Sequence, residues 1–333
     1  MPARADRRTR LTAVAAIGVV APVCAEYLVA YLEITGDLAE SLGALMIFVP
    51  LYGGAALLIR EVSVRAGMGW RGRLLLAAVF GVSMTALIDV SLWTEDRPDI
   101  DYWQDVVLAA RVEPAGFGAY AGLTWVLGHV TMSVGVPLAL AEAAVPGIRG
   151  RSLLGRVGIV GWSLAFLAVA VMIHVSESGT YDVHPSAGQY LGAVVVMAAL
   201  AGLAWSRWGG PLPVRAGRRS PGAVVLGLVG FLGAATLDLV PAGWPGVLVI
   251  VGAAGGVAVM VGRWSRSERW GWQQVAALAW GGLLERTLVG FVAPIPDGVG
   301  VTGKVLHSVV LLVLVAGLGV LVRRRLRQEA DRR

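Results

Sequence analysis

Two adjacent charged side chains interrupt an apolar stretch near the end of the chain. Glu285 and Arg286 fall near the middle of residues 271–294, whose sequence predicts a membrane-spanning helix. A charged side chain at bilayer depth costs at least a few kcal/mol unless it pairs or faces water inside the protein. Adjacent residues on a helix point roughly 100° apart, so these two cannot pair comfortably with each other. At least one of them therefore needs a partner on another helix.

Polar residues in other apolar segments are the candidate partners. A rise of about 1.5 Å per residue puts His129 near the midplane and both Asp238 and His307 in the outer third. A neutral imidazole changes charge near physiological pH, so His307 with Glu285 or Asp238 would make a proton relay. The substrate-binding site that these positions predict consists of Glu285, Arg286, His129, His307 and Asp238.

This predicted site opens toward the outer face of the membrane. Glu26, Asp89 and His174 also fall in the outer third of their segments, which suggests a polar cavity shared by helices 3, 4, 7, 9 and 10. The alternative is that the outer residues simply reach the interface, while a bridge between Arg286 and a carboxylate only fixes helix packing.

One acid lies toward the opposite side. Glu142 follows Pro137 by five residues near the inner end of its segment. It is expected to meet Arg149, Arg151 or the turn at Arg60 and Glu61.

No signature of catalysis, metal binding or cofactor binding is present in the sequence. The single Cys24 excludes an intramolecular disulfide and a cysteine-based zinc cluster. Asp182 and His184, two residues apart in an outer loop, are a weak metal signal. Neither GxxxxGK[ST] nor GxSxG occurs. We therefore predict no cofactor, no metal and no catalytic residue.

The composition is that of an integral membrane protein. Hydrophobic residues make up 56% of the chain, charged residues only 15%, and the mean hydropathy is +0.71. Soluble domains carry about 25% charged residues. The net charge of +6 comes from arginines in short loops between apolar segments, which indicates membrane orientation rather than a nucleic-acid partner. The predicted partners are the lipid bilayer and a small-molecule or ion substrate.

The sequence predicts an all-α bundle of about ten transmembrane helices in one domain, residues 11–322. Each predicted segment approaches the roughly 20 residues that crossing requires. The segments are 11–32, 41–59, 74–93, 119–143, 154–175, 187–206, 221–240, 243–262, 271–293 and 303–322. Of the 28 basic residues, 24 fall in the termini and alternate connections, including the basic segments 1–10 and 323–333. By the positive-inside rule both termini are cytoplasmic.

Two finer patterns concern helix packing and the acidic outer loop, residues 94–117. In that loop Trp103, Val106, Val107 and Ala110 recur at helical spacing, which suits a short helix on the outer membrane face; the alternative is a solvated loop. The glycine patterns that would let helix backbones approach closely are Gly188 with Gly192, Gly252 with Gly256, and Gly227 with Gly230 and Gly233.

About 90 residues resemble a group of actinobacterial multi-pass membrane proteins. The resemblance lies in LYGGAALLIREVSVRAGMGWRGRLLLAAVFG, then SLW, then HVTMSVGVPLALAEAAVP. It implies a bacterial cytoplasmic membrane protein. The matching positions are Arg60, Glu61, Gly69, Trp70, Gly81, His129, Pro137 and Glu142.

The same region is loosely similar to the CAAX-processing and bacteriocin-processing intramembrane proteases, whose glutamates and histidines activate water. In this sequence the acidic pair falls on Met84 and Thr85, and the family's Glu-Glu-x-x-x-Arg motif is absent. Neither residue acts as a general base, so the similarity implies a member that has lost hydrolysis at that place.

Three functions are compatible with these patterns. A permease-like carrier would use the outward-facing polar site, with Arg286 neutralising an anionic substrate or Glu285. A degenerate hydrolase would bring two acids and an imidazole together around a water or metal. A scaffold would bind a partner through the acidic loop and would keep its buried charges paired and dry.

Overall fold

The computed structural model describes residues 6–331, and these residues fold as a bundle of helices. Eight of the described helices are long and apolar enough to cross a membrane. In chain order the helices are α1 (Arg7–Tyr27), α2 (Leu38–Arg65), α3 (Trp70–Ile88), α4 (Trp103–Val107), α5 (Ala119–Ala144), α6 (Arg156–Thr180), α7 (Ala187–Trp205), α8 (Ala223–Asp238), α9 (Trp244–Trp264), α10 (Trp272–Val289) and α11 (Val301–Ala330).

The helical membrane bundle is confirmed, and every predicted segment contains a helix. The exceptions to the length and hydropathy expected of a crossing are α8, with 16 residues, and α10, with 18 residues that include Glu285 and Arg286. The last helix continues beyond the predicted span to Ala330. Arg4, Arg332 and Arg333, which belong to the predicted basic ends, lie outside the described residues.

Helix α10 ends earlier than its apolar sequence suggests. The predicted segment runs to residue 293, but the helix ends at Val289 and the chain then turns. Pro294 disfavours helical backbone at the residue before it. Gly290 lies so close to Leu28 that a Cβ there would be 2.2 Å from the Leu28 carbonyl oxygen. Glu285 and Arg286 are therefore close to the outer end of the helix rather than near its middle.

The helices form a packed centre and a periphery. In the most apolar window of α3, 56% of the residues are buried, against 6% for α6 and 11% for both α7 and α9. The exposed side chains of these outer helices are mostly Val and Leu. Because a helix with such an exposed apolar surface is stable in lipid, we assign these surfaces to the bilayer.

The connections fall into two sets on opposite faces of the bundle. On the basic face, Thr9 packs against Gly147, and Arg149 pairs with Glu329 at 2.8 Å. On the acidic face, Arg97 pairs with Glu177 at 3.4 Å, and the Tyr120 hydroxyl donates to the Val240 carbonyl at 2.6 Å. The first and last described helices thus begin and end on the same face, as the alternation of charge requires.

Close helix packing does not use all the predicted glycine pairs. A Cβ added at Gly192, Gly252 or Gly256 would meet no atom within 4 Å, and one at Gly188 would meet only Ser186. Those pairs lie on the peripheral helices α7 and α9, so the prediction that they pack within the chain is wrong. In the third predicted pattern, Gly227 and Gly230 do pack closely, against Gly281 and Leu278 of α10. The other close approaches are between Gly18 and Gly53, Gly69 and Gly210, and Gly72 and Gly209.

The acidic loop contains the short helix that its spacing predicts, but the apolar residues of that helix pack on α5. Trp103 is 7% exposed and stacks on Trp125 of α5, with ring centroids 5.2 Å apart. Its indole nitrogen donates to the Thr94 carbonyl at 2.8 Å. The apolar side of α4 therefore faces protein. A two-stranded hairpin, β1 (Arg111–Val112) and β2 (Phe117–Gly118), returns the chain to α5.

Candidate functional site

The first four long helices, α1, α2, α3 and α5, each change locally from α-helical to π-helical winding. The π-helical segments are Val23–Tyr27, Val49–Gly53, Met84–Ile88 and His129–Gly135. Such segments are rare and occur frequently at functional sites, because the extra residue leaves a backbone group free and redirects side chains. Here they bring Glu26, Tyr52 and His129 together.

Glu26 is held by two tyrosines. The hydroxyls of Tyr31 and Tyr52 both donate to its carboxylate, one to each oxygen. Glu26 is 8% exposed and Tyr52 is 3% exposed, so the group is buried. Glu26 was predicted to lie in the outer third of its segment, but neither it nor either tyrosine was assigned to the site. No position or spacing in the sequence pairs Glu26 with Tyr31 or Tyr52.

His129 lies beside Tyr52 in the same buried group. The two rings stack with centroids 6.0 Å apart, and Phe80 meets the imidazole edge-on at 5.5 Å. The Nδ1 atom of His129 is 3.0 Å from the Ser133 hydroxyl, one turn along its own helix. His129 therefore belongs to the cluster through the ring contacts with Tyr52 and Phe80, and its Nδ1 atom is hydrogen-bonded to Ser133.

Arg286 of α10 forms an ion pair with Asp238 of α8. A partner on another helix was expected, because a charge buried in the membrane without a partner is unfavourable. The two side chains are 23% and 11% exposed. Asp238 is the last residue of α8, and Arg286 is in the last turn of α10, where the helix dipole favours a cation. Arg286 also interacts electrostatically with Glu26, Tyr31 and His129. The ends of α1, α8 and α10 and the middle of α5 thus contribute to one polar cluster.

Glu285 has a different environment from its neighbour. It is 2% exposed, and neither carboxylate oxygen has a hydrogen-bond partner among the described residues. One turn earlier, Gly281 meets the backbone of Gly227, so this side of α10 faces α8. An ionised carboxylate buried without a partner is strongly disfavoured. Glu285 is therefore expected to hold a proton, or to bind a cation or water.

His307 is not joined by a hydrogen bond to Glu285 or to Asp238 in the described part of the chain. Its Nε2 atom lies 3.1 Å from the Tyr27 carbonyl, and its Nδ1 atom accepts from the Gly36 amide at 3.5 Å. A neutral imidazole protonated at Nε2 satisfies both contacts. The predicted relay from His307 is thus absent, and His307 instead holds the turn after α1 against α11.

Lys304, one turn before His307, is a buried cation without a carboxylate. It is 3% exposed, and its Nζ atom donates to the carbonyls of Ala30, Ala293 and Pro294 at 3.2, 2.6 and 2.7 Å. These bonds join the turns that follow α1 and α10. Lys304 therefore fixes the outer ends of the two helices that supply Glu26 and Arg286.

Replacing Lys304 by methionine is expected to lower the free energy of unfolding by about 2–3 kcal/mol, because it leaves three carbonyls without their charged donor. The measurement is unfolding of the purified protein in mild detergent. Val305→Met, at a neighbouring position that is 46% exposed, is the control. Equal stability of the two variants would contradict the role assigned to Lys304.

A second polar network lies on the basic face. The Glu142 carboxylate accepts from Arg60 and from Arg73, each at 2.9 Å. Contact with Arg60 was predicted, whereas contact with Arg73 was not. Arg149 reaches the Glu142 backbone carbonyl at 2.8 Å rather than its carboxylate.

This network also holds the loop before α6. Glu61 accepts from the amides of Leu153 and Leu154 at 2.9 and 3.1 Å, and from Arg65 at 2.7 Å. Arg60 donates to the Ile148 carbonyl at 2.6 Å. Because both acids are fully supplied with donors, this region is structural.

Neither Met84 nor Thr85, the two residues that the sequence resemblance sets at the acidic pair, carries an ionisable group. Met84 is 4% exposed, and Thr85 is 1% exposed and donates to the Gly81 carbonyl at 3.1 Å. Asp182 and His184 contact each other at 3.1 Å on the surface. Within residues 6–331, no group of three His, Cys, Asp or Glu residues has metal-binding geometry.

Comparison with known proteins adds no assignment. No protein-family model matches the chain, and neither a curated protein nor a solved structure matches it.

Proposed function

We propose that the protein is a permease-like carrier of the bacterial cytoplasmic membrane, with ten crossings and both termini in the cytoplasm. Its outward-facing site is the polar cluster of Glu26, Tyr52, His129, Asp238 and Arg286, and Glu285 carries a coupling proton. The basic connections on one face support the orientation by the positive-inside rule. The count of ten includes the short helices α8 and α10 as crossings. A short helix can cross a bilayer that thins locally around it.

The observation that carries the proposal is the unpaired Glu285. Glu142 is equally buried, at 2% exposure, but its two oxygens bind Arg60 and Arg73. The chain therefore provides donors to one buried carboxylate and withholds them from the other. Intramembrane carboxylates without a partner are found in proton relays, where gain and loss of a proton must both be accessible.

The neighbouring pair suggests how substrate is recognised. Arg286 is 23% exposed and the Asp238 carboxylate holds it from one side. A substrate carboxylate or phosphate would replace Asp238 on the guanidinium, which is the side chain best suited to planar oxyanions. Release of Asp238 would loosen the outer end of α8 against α10. That movement gives Glu285, between the same two helices, access to water.

The scaffold and hydrolase alternatives have less support. A purely structural scaffold would give each buried carboxyl group a hydrogen-bond partner, and Glu285 has none among the described residues. A hydrolase requires acids and an imidazole around one water or metal, but both Glu26 oxygens accept from tyrosines, and no group of three His, Cys, Asp or Glu among the described residues has metal-binding geometry. The carrier proposal uses both the isolated carboxylate and the pair beside it.

Dicyclohexylcarbodiimide, which attacks protonated carboxyl groups in apolar surroundings, is expected to modify Glu285. Peptide mass mapping after treatment in detergent or vesicles measures the modified fraction. Glu142 is an internal control, because a carboxylate that is ionised and bound to two arginines does not react. Glu285→Gln should remove the adduct. Labelling of Glu142 with Glu285 unmodified would contradict the assignment.

Transport itself is tested in proteoliposomes that contain a pH-sensitive dye. A panel of carboxylates, phosphate esters and amino acids is added outside, and lumen acidification is recorded. At least one class should drive proton entry with the unmodified protein, and Glu285→Gln or Arg286→Ala should abolish it. If Glu285 is labelled but no solute drives proton movement, Glu285 is a protonated buried acid, and proton-coupled transport of these solutes is excluded.

A further inference from the structure

A pocket of about 460 Å³ lies on the basic face, away from the polar cluster. Four arginines line it, from the start of α3, the connection between α7 and α8, and the end of α9 with the turn that follows. The arginines are Arg71, Arg218, Arg263 and Arg266, and Trp208 lies beside them. Pockets of about 300–1,000 Å³ are typical of small-ligand sites.

The charges in this pocket are not neutralised by the protein. None of the four arginines forms an ion pair with another described residue. The Nε atom of Arg71 is buried without a hydrogen-bond partner, and its Nη2 atom reaches only the Gly210 carbonyl at 3.5 Å. Glu268, on the same turn as Arg266, is exposed and pairs with none of them. Like charges held together attract an anion.

Backbone contacts hold the three segments together. The Gly69 amide donates to the Gly209 carbonyl at 2.9 Å, which joins the start of α3 to the connection after α7. The Arg215 amide donates to the Arg266 carbonyl at 2.8 Å, and the Ser267 hydroxyl donates to the Arg218 carbonyl at 2.7 Å. The arginines are therefore brought together by loops that are hydrogen-bonded to one another.

One wall of the pocket is apolar and continuous with the surface assigned to lipid. It consists of Ala258, Val259 and Gly262 from the peripheral helix α9. Val259 and Trp208 are each 56% exposed. Tryptophan is enriched where headgroups meet the acyl region. A ligand that fits both walls has an anionic group and a hydrocarbon chain.

We propose that this pocket binds the phosphate headgroup of an anionic phospholipid, with an acyl chain along α9. The guanidiniums of Arg71, Arg218, Arg263 and Arg266 bind the phosphate oxygens, and Val259 contacts the chain. Basic pockets between transmembrane helices on the cytoplasmic side bind such headgroups. The apolar wall favours a lipid over free phosphate. This inference is independent of the proposed carrier activity.

Native mass spectrometry of the full-length protein in mild detergent tests the proposal. Dioleoyl-phosphatidylglycerol is titrated against dioleoyl-phosphatidylcholine, and inorganic phosphate is titrated separately. Retained phosphatidylglycerol adducts are expected, with fewer phosphatidylcholine adducts and none from phosphate. The pocket variants Arg71→Gln with Arg218→Gln, and Arg263→Gln with Arg266→Gln, should each weaken phosphatidylglycerol binding by about tenfold or more.

The matched control removes the same charge outside the pocket. Arg151→Gln with Arg156→Gln alters two exposed arginines at the start of α6 and the loop before it, and should leave the lipid adduct unchanged. Thermal unfolding in detergent without added lipid identifies a pocket variant that fails to fold, and the other pair then provides the test. Equal loss in pocket and control variants, or phosphate binding as tight as lipid binding, would overturn the proposal.

Discussion

Glu142→Ala is expected to lower the free energy of unfolding by about 3–5 kcal/mol, because it leaves two buried cations without their shared carboxylate. Arg60 is completely buried, and Arg73 is 7% exposed. The loss should therefore exceed that of a surface ion pair and should disturb the packing of α2, α3 and α5 together.

Unfolding of the purified variant by increasing SDS in mixed micelles measures the effect. Glu95→Ala is the control, because Glu95 pairs with Arg111 while its side chain is 59% exposed. An exposed pair contributes about 0–1 kcal/mol. If Glu142→Ala unfolded no more easily than Glu95→Ala, the network would not have the structural role assigned to it.

Adding a methyl group at the crossing of α8 and α10 is expected to separate these helices. A Cβ at Gly281 would lie 2.0 Å from the Gly227 carbonyl oxygen, and one at Gly230 would lie 2.0 Å from the Leu278 carbonyl oxygen. Backbone atoms on both sides leave no flexible side chain to move. Gly281→Ala or Gly230→Ala should cost about 1–3 kcal/mol or more.

The same change would affect the proposed site, since the crossing positions Asp238 against Arg286. Gly281→Ala should therefore reduce both thermal stability and solute-driven proton movement. Gly252→Ala with Gly256→Ala is the control, because these glycines on α9 meet no atom within 4 Å. Alanine favours a helix over glycine by about 0.5–1 kcal/mol, so the control should be at least as stable as the original protein. Destabilisation of the control alone would mean that the close contacts lie on α9 instead.

The helices themselves could be predicted from the sequence with good accuracy. Apolar runs of crossing length form helices in lipid because every backbone group must be satisfied within the segment. Local composition alone therefore locates α1 to α3, α5 to α9 and α11. The ends of the helices were less predictable: α1 and α3 end before their predicted segments do, α2 and α11 continue beyond theirs, and α10 also ends early. The apolar sequence of α10 continues past Val289, but close contact of Gly290 with Leu28 and the following Pro294 end the helix there.

The partners of polar residues were only partly predictable. The cost of a buried charge required a partner for Arg286 or Glu285, and Asp238 was among the candidates. Position within a segment gives depth, however, and not the neighbouring helix. For that reason the sequence did not reveal that Glu26 binds Tyr31 and Tyr52, or that His307 binds the Tyr27 carbonyl.

Residue type and spacing by themselves determined the membrane class, the helices and the need for charge compensation, because these depend on local transfer energies. Only the tertiary structure decided which surfaces meet. Gly252 and Gly256 have the spacing of a packing motif but face outward, whereas Gly227 and Gly281 bring α8 and α10 together. The same crossing buries Glu285, which has no donor in the described part of the chain, and pairs Arg286 with Asp238. Adjacent residues with opposite charge thus acquire different environments because the helix directs them toward different neighbours.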